Sequence, residues 1–369
     1  MTSVELPPID TPAILIDLEV VSRNLTWMQK KADAHGVALR PHIKTHKIPE
    51  LARMQTRRGA RGVTVAKISE AEVMAKVGID DIFIANQIVT DEKLRRLVAL
   101  SRKVRLAVGL DSIPAARKLS ETFSAAGLAI DYLIEIDSGL NRCGVLPGMD
   151  AVELFQAVET LPALKFNGIF THAGQVYGAG SLEKIADLSI LESKLMADTA
   201  KGFQNLGVLP EIVSVGSTPT MKVWQGHEGI NEIRPGNYIF NDATQIALGV
   251  AKPEDCALTV LATVISRPAK QRVVLDAGSK ALALDKGVHG KDTMPGFGMV
   301  LGREAMLERL SEEHGVMSVD PSEDLEIGDT VRIIPNHACT VVNLFDKAYG
   351  LKGGEVVEEF RVAARGKSQ

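Results

Sequence analysis

From residue 37 onward, short apolar runs rich in β-branched residues alternate with longer segments in which apolar residues recur at helical spacing. That alternation is the pattern of parallel strands joined by crossover helices. The runs centre on VALRPH (37 to 42), GVTVA (62 to 66), IFIAN (82 to 86), VRLAVG (104 to 109), YLIEID (132 to 137), NGIFTH (167 to 172), EIVSVG (211 to 216) and NEIRPG (231 to 236). Segments such as SEAEVMAKVG and SLEKIADLSILESKLMADTAKGFQNLG lie between them. Eight β/α units within about 200 residues match a closed barrel, whereas an open doubly wound sheet typically has fewer strands.

After Asp242 the pattern changes to strand-like runs, LTVLATVISRP, QRVVLDAG, DTVRIIPNH and TVVNLF, with few long helical periods. The expected fold is therefore α/β, an eight-stranded parallel (β/α)8 barrel over residues 15–245 with a second, mainly β domain over 246–369. The opening run TPAILIDL precedes the first helical segment, so the N-terminal strand, residues 1–14, is expected to join the second domain.

A chain of 369 residues exceeds what one core usually supports, in keeping with two domains. Acidic residues number 46 against 42 basic ones, a net charge of -4, which offers no basic surplus for nucleic acid or an anionic membrane. No run approaches a membrane span. Three scattered cysteines and an N-terminus without a basic and apolar leader pattern point to a reducing cytoplasm and a small-molecule substrate.

In a barrel of this type the strands deliver chemistry at their C-terminal ends. The first strand leads into RPHIKTHK, where alternation would give Arg40, His42 and Lys44 one orientation and bring Lys44 to the mouth. A partly desolvated lysine there can form a Schiff base with an aldehyde cofactor, although a solvated surface lysine has the same spacing. The seventh and eighth strands end in Gly216-Ser217-Thr218 and Arg234-Pro235-Gly236-Asn237, which suits a phosphate cradle and equally an ordinary turn. The sixth strand brings His172, with Tyr177 close behind, and the fifth is followed by Arg142. In the second domain His337 and Cys339 stand two apart in a strand-like run. Both would then point to one face as a ligand pair for zinc, or form a buried cysteine beside a hydrogen-bonded histidine.

The stretches TPAILIDL, RPHIKTHK, EIDSGLNRCGV, THAGQVYG, VSVGSTPT, RPGNYIFND, VLDAGSKAL, EEHGV and PNHACTVVNLFD together resemble the D-threonine aldolase and D-serine dehydratase family, whose barrel is similar to that of alanine racemase. The likeness spans almost the whole chain. It implies pyridoxal 5'-phosphate on Lys44, with Tyr177, Thr218, Gly236 and Asn237 at positions that hold the cofactor, and a divalent metal, zinc or manganese, on His337 and Cys339. Ser217 and Arg142 as further cofactor contacts and His172 as a base are inferences from position at the rim. Well-known D-threonine aldolases carry H-x-D where this chain has H-x-C, the form typical of D-serine and 3-hydroxyaspartate dehydratases, whereas the tail NLFDKAYG to VAARGKSQ looks like aldolases. The expected reaction is aldol cleavage of a β-hydroxy-D-amino acid. The alternatives are dehydration of D-serine or 3-hydroxy-D-aspartate to a 2-keto acid and ammonia, racemisation, or a non-catalytic cofactor carrier. The expected partners are a small-molecule β-hydroxy-D-amino acid and a second copy of the chain, with neither nucleic acid nor membrane.

Overall fold

The computed structural model describes residues 9–290 and 292–369. Within them β1 (Ala13–Asp17) precedes eight parallel strands: β2 (Ala38–Leu39), β3 (Val63–Val65), β4 (Asp81–Gln87), β5 (Arg105–Leu110), β6 (Ile130–Ile136), β7 (Leu164–Thr171), β8 (Ile212–Val215) and β9 (Glu232–Ile233). They pair in the order β2-β9-β8-β7-β6-β5-β4-β3. A parallel bridge between His42 and Thr64, with the Thr64 N–H donating to the Pro41 carbonyl at 2.8 Å, joins the two end strands and closes the ring. Each strand is covered by helices outside and side chains inside, which is why these runs read as continuously apolar.

The inside of the ring is packed, not open. Phe83, Leu133, Phe170 and Ile212 form its apolar plug, with the Phe83 and Phe170 rings edge to face at 4.9 Å. Below the plug Arg40 pairs with Asp81 and, at 2.9 Å, with Glu232, all three buried. Above it lies Arg234, whose guanidinium carbon stands 5.1 Å from the Phe170 centroid. At Gly168 the backbone takes φ 148°, and an added Cβ would fall 1.9 Å from the Ile212 carbonyl oxygen, so β7 and β8 approach as only glycine permits.

The second sheet is built from β10 (Leu258–Ala269), β11 (Arg272–Leu275), β12 (Met299–Val300), β13 (Leu307–Leu310), β14 (Gly315–Ser318), β15 (Thr330–Ile334), β16 (Lys347–Lys352) and β17 (Glu355–Arg361). The chain's first strand runs through its middle, β1 pairing antiparallel with β10 and parallel with β16. Of the N-terminal strand expected over residues 1–14, residues 1–8 lie outside the described residues. Two local expectations fail. TVVNLF is not a strand: its first half belongs to the helix Ala338–Val342, because His337, with extended φ and ψ, acts as the N-cap and Val341 and Val342 are buried against neighbouring elements. The first barrel strand stops at Leu39, and Lys44 sits in a one-turn 3₁₀ helix, Ile43–Thr45, so strand alternation does not carry it to the mouth.

Candidate active site

Two cavities, of about 260 and about 250 Å³, open side by side at the C-terminal ends of the barrel strands and share His42, Lys44, His172 and Arg234 as walls. Glu135, Gln87, Arg142 and Cys143 line the first, whereas Tyr177, Ser217, Thr218, Gly236, Asn237, His289, His337 and Cys339 line the second. Every candidate cofactor, base and metal residue from the sequence therefore reaches one of these adjoining cavities, whereas Arg40 lies below the plug. Arg142 is the outlier: it sits in the other compartment from the Ser217 and Gly236 loops, half exposed, with Nη2 3.7 Å from Glu135.

Lys44 stands at the junction. Desolvation lowers the pKa of its amine; the Cys339 thiolate opposes that shift, while Arg142 and Arg234 add to it. His42 and His172 are pushed well below the ordinary imidazole value, first by burial and then by the Lys44 charge, so both are neutral at neutral pH. Arg234 is fixed by bonds from its guanidinium to the Ser214 hydroxyl and the Thr171 carbonyl.

Behind β8, Gly216 takes φ 119°, and a Cβ there would meet the Met221 side chain at 2.9 Å. Its N–H donates to Oε1 of the buried Glu192 at 2.8 Å. Ser217 is the N-cap of the helix Thr218–Val223 and exchanges bonds with Thr220, which commits its hydroxyl to the turn. Thr218 instead accepts the Tyr238 N–H at 3.0 Å and keeps its own O–H to give. A Cβ on Gly236 would meet His42 and Thr45 at 3.2 Å, so this loop lies tight against the Lys44 turn. Asn237 donates to Asp242 at 2.6 Å, while its Oδ1 is buried without a partner among the described residues.

The expected metal pair is assembled differently from the strand-face expectation. His337 caps the helix Ala338–Val342 and Cys339 is that helix's second residue, yet the two side chains line the same cavity and shift each other's pKa. Although burial works against both charges, the Cys339 thiolate raises His337 to about 10 and His337 in turn holds the Cys339 thiol below its ordinary value. Thr45, next to Lys44, lies 3.3 Å from the sulfur. Among the described residues no group of three or more His, Cys, Asp or Glu is arranged to hold a metal, so two ligands are what the chain offers here.

Sequence reasoning gave His42, Arg234 and Glu135 no role of their own and missed His289 altogether. His42 and Arg234 lie inside motifs it used, RPHIKTHK and RPG, and their position at strand ends was the available signal. His289 comes from the second domain and carries no pattern.

The family described as alanine racemase, N-terminal domain, matches residues 16–244, and the serine dehydratase domain family matches residues 257–351. A D-threonine aldolase of Arthrobacter sp is 33% identical over 367 residues, 99% of this chain and 95% of that protein. The crystal structure of a D-threonine aldolase from Filomicrobium marinum superposes with a TM-score of 0.88 at 34% identity, covering 98% of this chain and 97% of that one. A D-threo-3-hydroxyaspartate dehydratase mutant in the metal-free form superposes with a TM-score of 0.89 at 33% identity, covering 96% and 97%.

Proposed function

The chain belongs to the alanine racemase-fold family of D-threonine aldolases and D-serine dehydratases, and from that premise we propose a lyase that cleaves β-hydroxy-D-amino acids of the D-threonine kind to glycine and an aldehyde. The observation that carries the reading is the meeting of Lys44, His172 and the His337–Cys339 pair in one crevice between the barrel and the second domain. The proposal includes the division into a cofactor-binding barrel, residues 15–245, and a β domain, residues 246–369, joined by the N-terminal strand.

The donor set suits pyridoxal phosphate. An amine of lowered pKa stands at the junction of the cavities, and a hydroxyl and two tight glycines, Thr218, Gly216 and Gly236, lie beside it. Lys44 would hold the aldehyde and the Thr218 and Gly236 loops the phosphate, with Tyr177, Ser217, Asn237 and Arg142 around it. When bound, this cofactor supplies an electron sink for the bond broken at Cα. Imidazole with thiolate suits zinc or, with oxygen ligands in the open positions, manganese, a Lewis acid for the β-hydroxyl.

The remaining work falls to side chains. Lys44, its amine pKa lowered by desolvation, is the nucleophile. His172, neutral for the same reason, can accept the hydroxyl proton as the Cα–Cβ bond breaks. Arg234, Phe83 and Phe170 close the floor and keep water from entering through the barrel. A second reading, dehydration to a 2-keto acid and ammonia with Lys44 taking the Cα proton, is favoured by one feature: the thiol at position 339 where well-known aldolases carry a carboxylate.

Purified protein incubated with D-threonine and with D-serine decides between them. Glycine and acetaldehyde from D-threonine are expected; ammonia and keto acid as the main products would favour the second reading. Lys44→Ala should abolish either activity together with the visible absorption of the bound cofactor.

A further inference from the structure

His289 lies between β11 and β12, next to Val288, which is buried against Val176, Tyr177 and Ile185 of the barrel and against Leu248. That burial pins the segment over the mouth. His289 takes φ 55°, and its Nε2 stands 3.3 Å from Nε2 of His172, the rings 5.3 Å apart and inclined at 63°. Tyr177 flanks the His289 ring at 5.3 Å. Across from it is Gly174, where a Cβ would fall 3.0 Å from Nε2 of His289, so glycine leaves the room this ring occupies.

Two imidazole nitrogens at this distance share one hydrogen, carried by one and accepted by the other. Lys44, Arg142, Arg234 and His42 face His172, and Lys44, Arg142 and His337 face His289. Every one of these is a cation or an imidazole. A proton resting on His172 is therefore disfavoured, and the group is useful as a base only if the proton has a way out. His289 reaches solvent at the rim.

We propose that His289 is a positioning residue for His172: through the Nε2 contact it fixes the tautomer of the ring and carries protons between the buried site and solvent. This rests on the reading of His172 as the base. A proton arriving at Nδ1 of His172 forms an N–H bond there, the Nε2 proton crosses to Nε2 of His289, and His289 gives its Nδ1 proton to water. The reverse transfer resets both rings.

The test uses the holoenzyme, ¹⁵N-labelled at histidine, as wild type, His289→Ala and His289→Gln. NMR should show His172 as the Nε2–H tautomer in the wild type, a mixture in the alanine variant, and the Nε2–H form again with glutamine, whose carbonyl accepts that hydrogen. On D-threonine, kcat should fall at least about ten-fold in both variants with little change in KM, and added imidazole should restore part of it in His289→Ala. An unchanged His172 tautomer in His289→Ala overturns the contact whatever the activity, and full kcat in His289→Gln overturns the proton transfer. A wild type inactive on both D-threonine and D-serine would instead sink the lyase reading, while the NMR arm still decides the pair.

Discussion

Nδ1 of His337 lies 3.4 Å from Oδ2 of Asp285, and the Thr340 hydroxyl donates to the same oxygen at 2.6 Å. The carboxylate thus ties the His337 ring to its own helix and leaves Nε2 for a metal, the arrangement that fixes tautomer and orientation in many imidazole sites. Asp285→Ala should weaken binding of zinc about 10- to 100-fold in competition with a chelating dye, with cofactor affinity unaltered. Unchanged zinc affinity would mean that Asp285 does not orient the ligand.

Chelation should remove turnover and leave the visible absorption of the cofactor in place, because the cofactor's expected holders come from the barrel and the metal's pair from the second domain. Cys339→Ala should behave like the chelated enzyme and resist rescue by added zinc. Full activity in metal-stripped Cys339→Ala protein would refute the metal role and leave a metal-free racemase as the better reading.

Thr218 keeps a hydroxyl proton to give while accepting the Tyr238 N–H. Thr218→Val should lower cofactor affinity by one charge-assisted hydrogen bond, about 1.5 to 3 kcal/mol, read by equilibrium dialysis. The hydroxyl of Ser217 is already engaged with Thr220, so Ser217→Ala is expected to disturb the turn and affect cofactor affinity less. The reverse order would place the phosphate on Ser217.

Glu192 is buried behind Gly216 and burial lifts its pKa from the ordinary 4.5 to about 7. Between those values the folded chain holds a proton that the unfolded chain has released, so this group's contribution to stability falls as pH rises, by about 3 kcal/mol in all. His42, His46, His172 and His289 are lowered and act with the opposite sign, their contribution being lost as pH falls through their depressed values. The readout is accordingly a difference. Glu192→Gln, which keeps an acceptor for the Gly216 N–H, should gain thermal stability relative to wild type at pH 8 and not at pH 4. A pH-independent offset between the two proteins would remove the assignment.

Arg40 neutralises Asp81 and Glu232 below the apolar plug of the barrel. Arg40→Met should cost about 3–5 kcal/mol in denaturant unfolding, because the buried Glu232 loses its cation and Asp81 keeps only the exposed Arg105. A loss below about 1 kcal/mol would put this network in the class of exposed ion pairs.

The eight apolar runs between residues 37 and 236 were legible as parallel strands because each strand is buried on both faces, a demand that shows in composition alone. RPHIKTHK, GST and PGN were legible for a related reason: strand ends in a barrel converge, so residues just past each strand meet whatever lies between them. Local conformation at the site was not. Lys44 lies in a 3₁₀ turn and Cys339 in a helix, since a capping residue and burial against neighbours override the strand propensity of a β-branched run. His289 and Asp285 were invisible in the sequence for another reason. His289 acts across the gap between two domains on His172, and Asp285 acts within the second domain on His337; a contact between residues 117 or 52 positions apart leaves no period along the chain. The sequence by itself determined the barrel and the second sheet, and it supplied the candidate residues that meet at the barrel's mouth. Only the tertiary structure decided which nitrogen faces which partner, because that depends on how the second domain seats on the barrel's mouth.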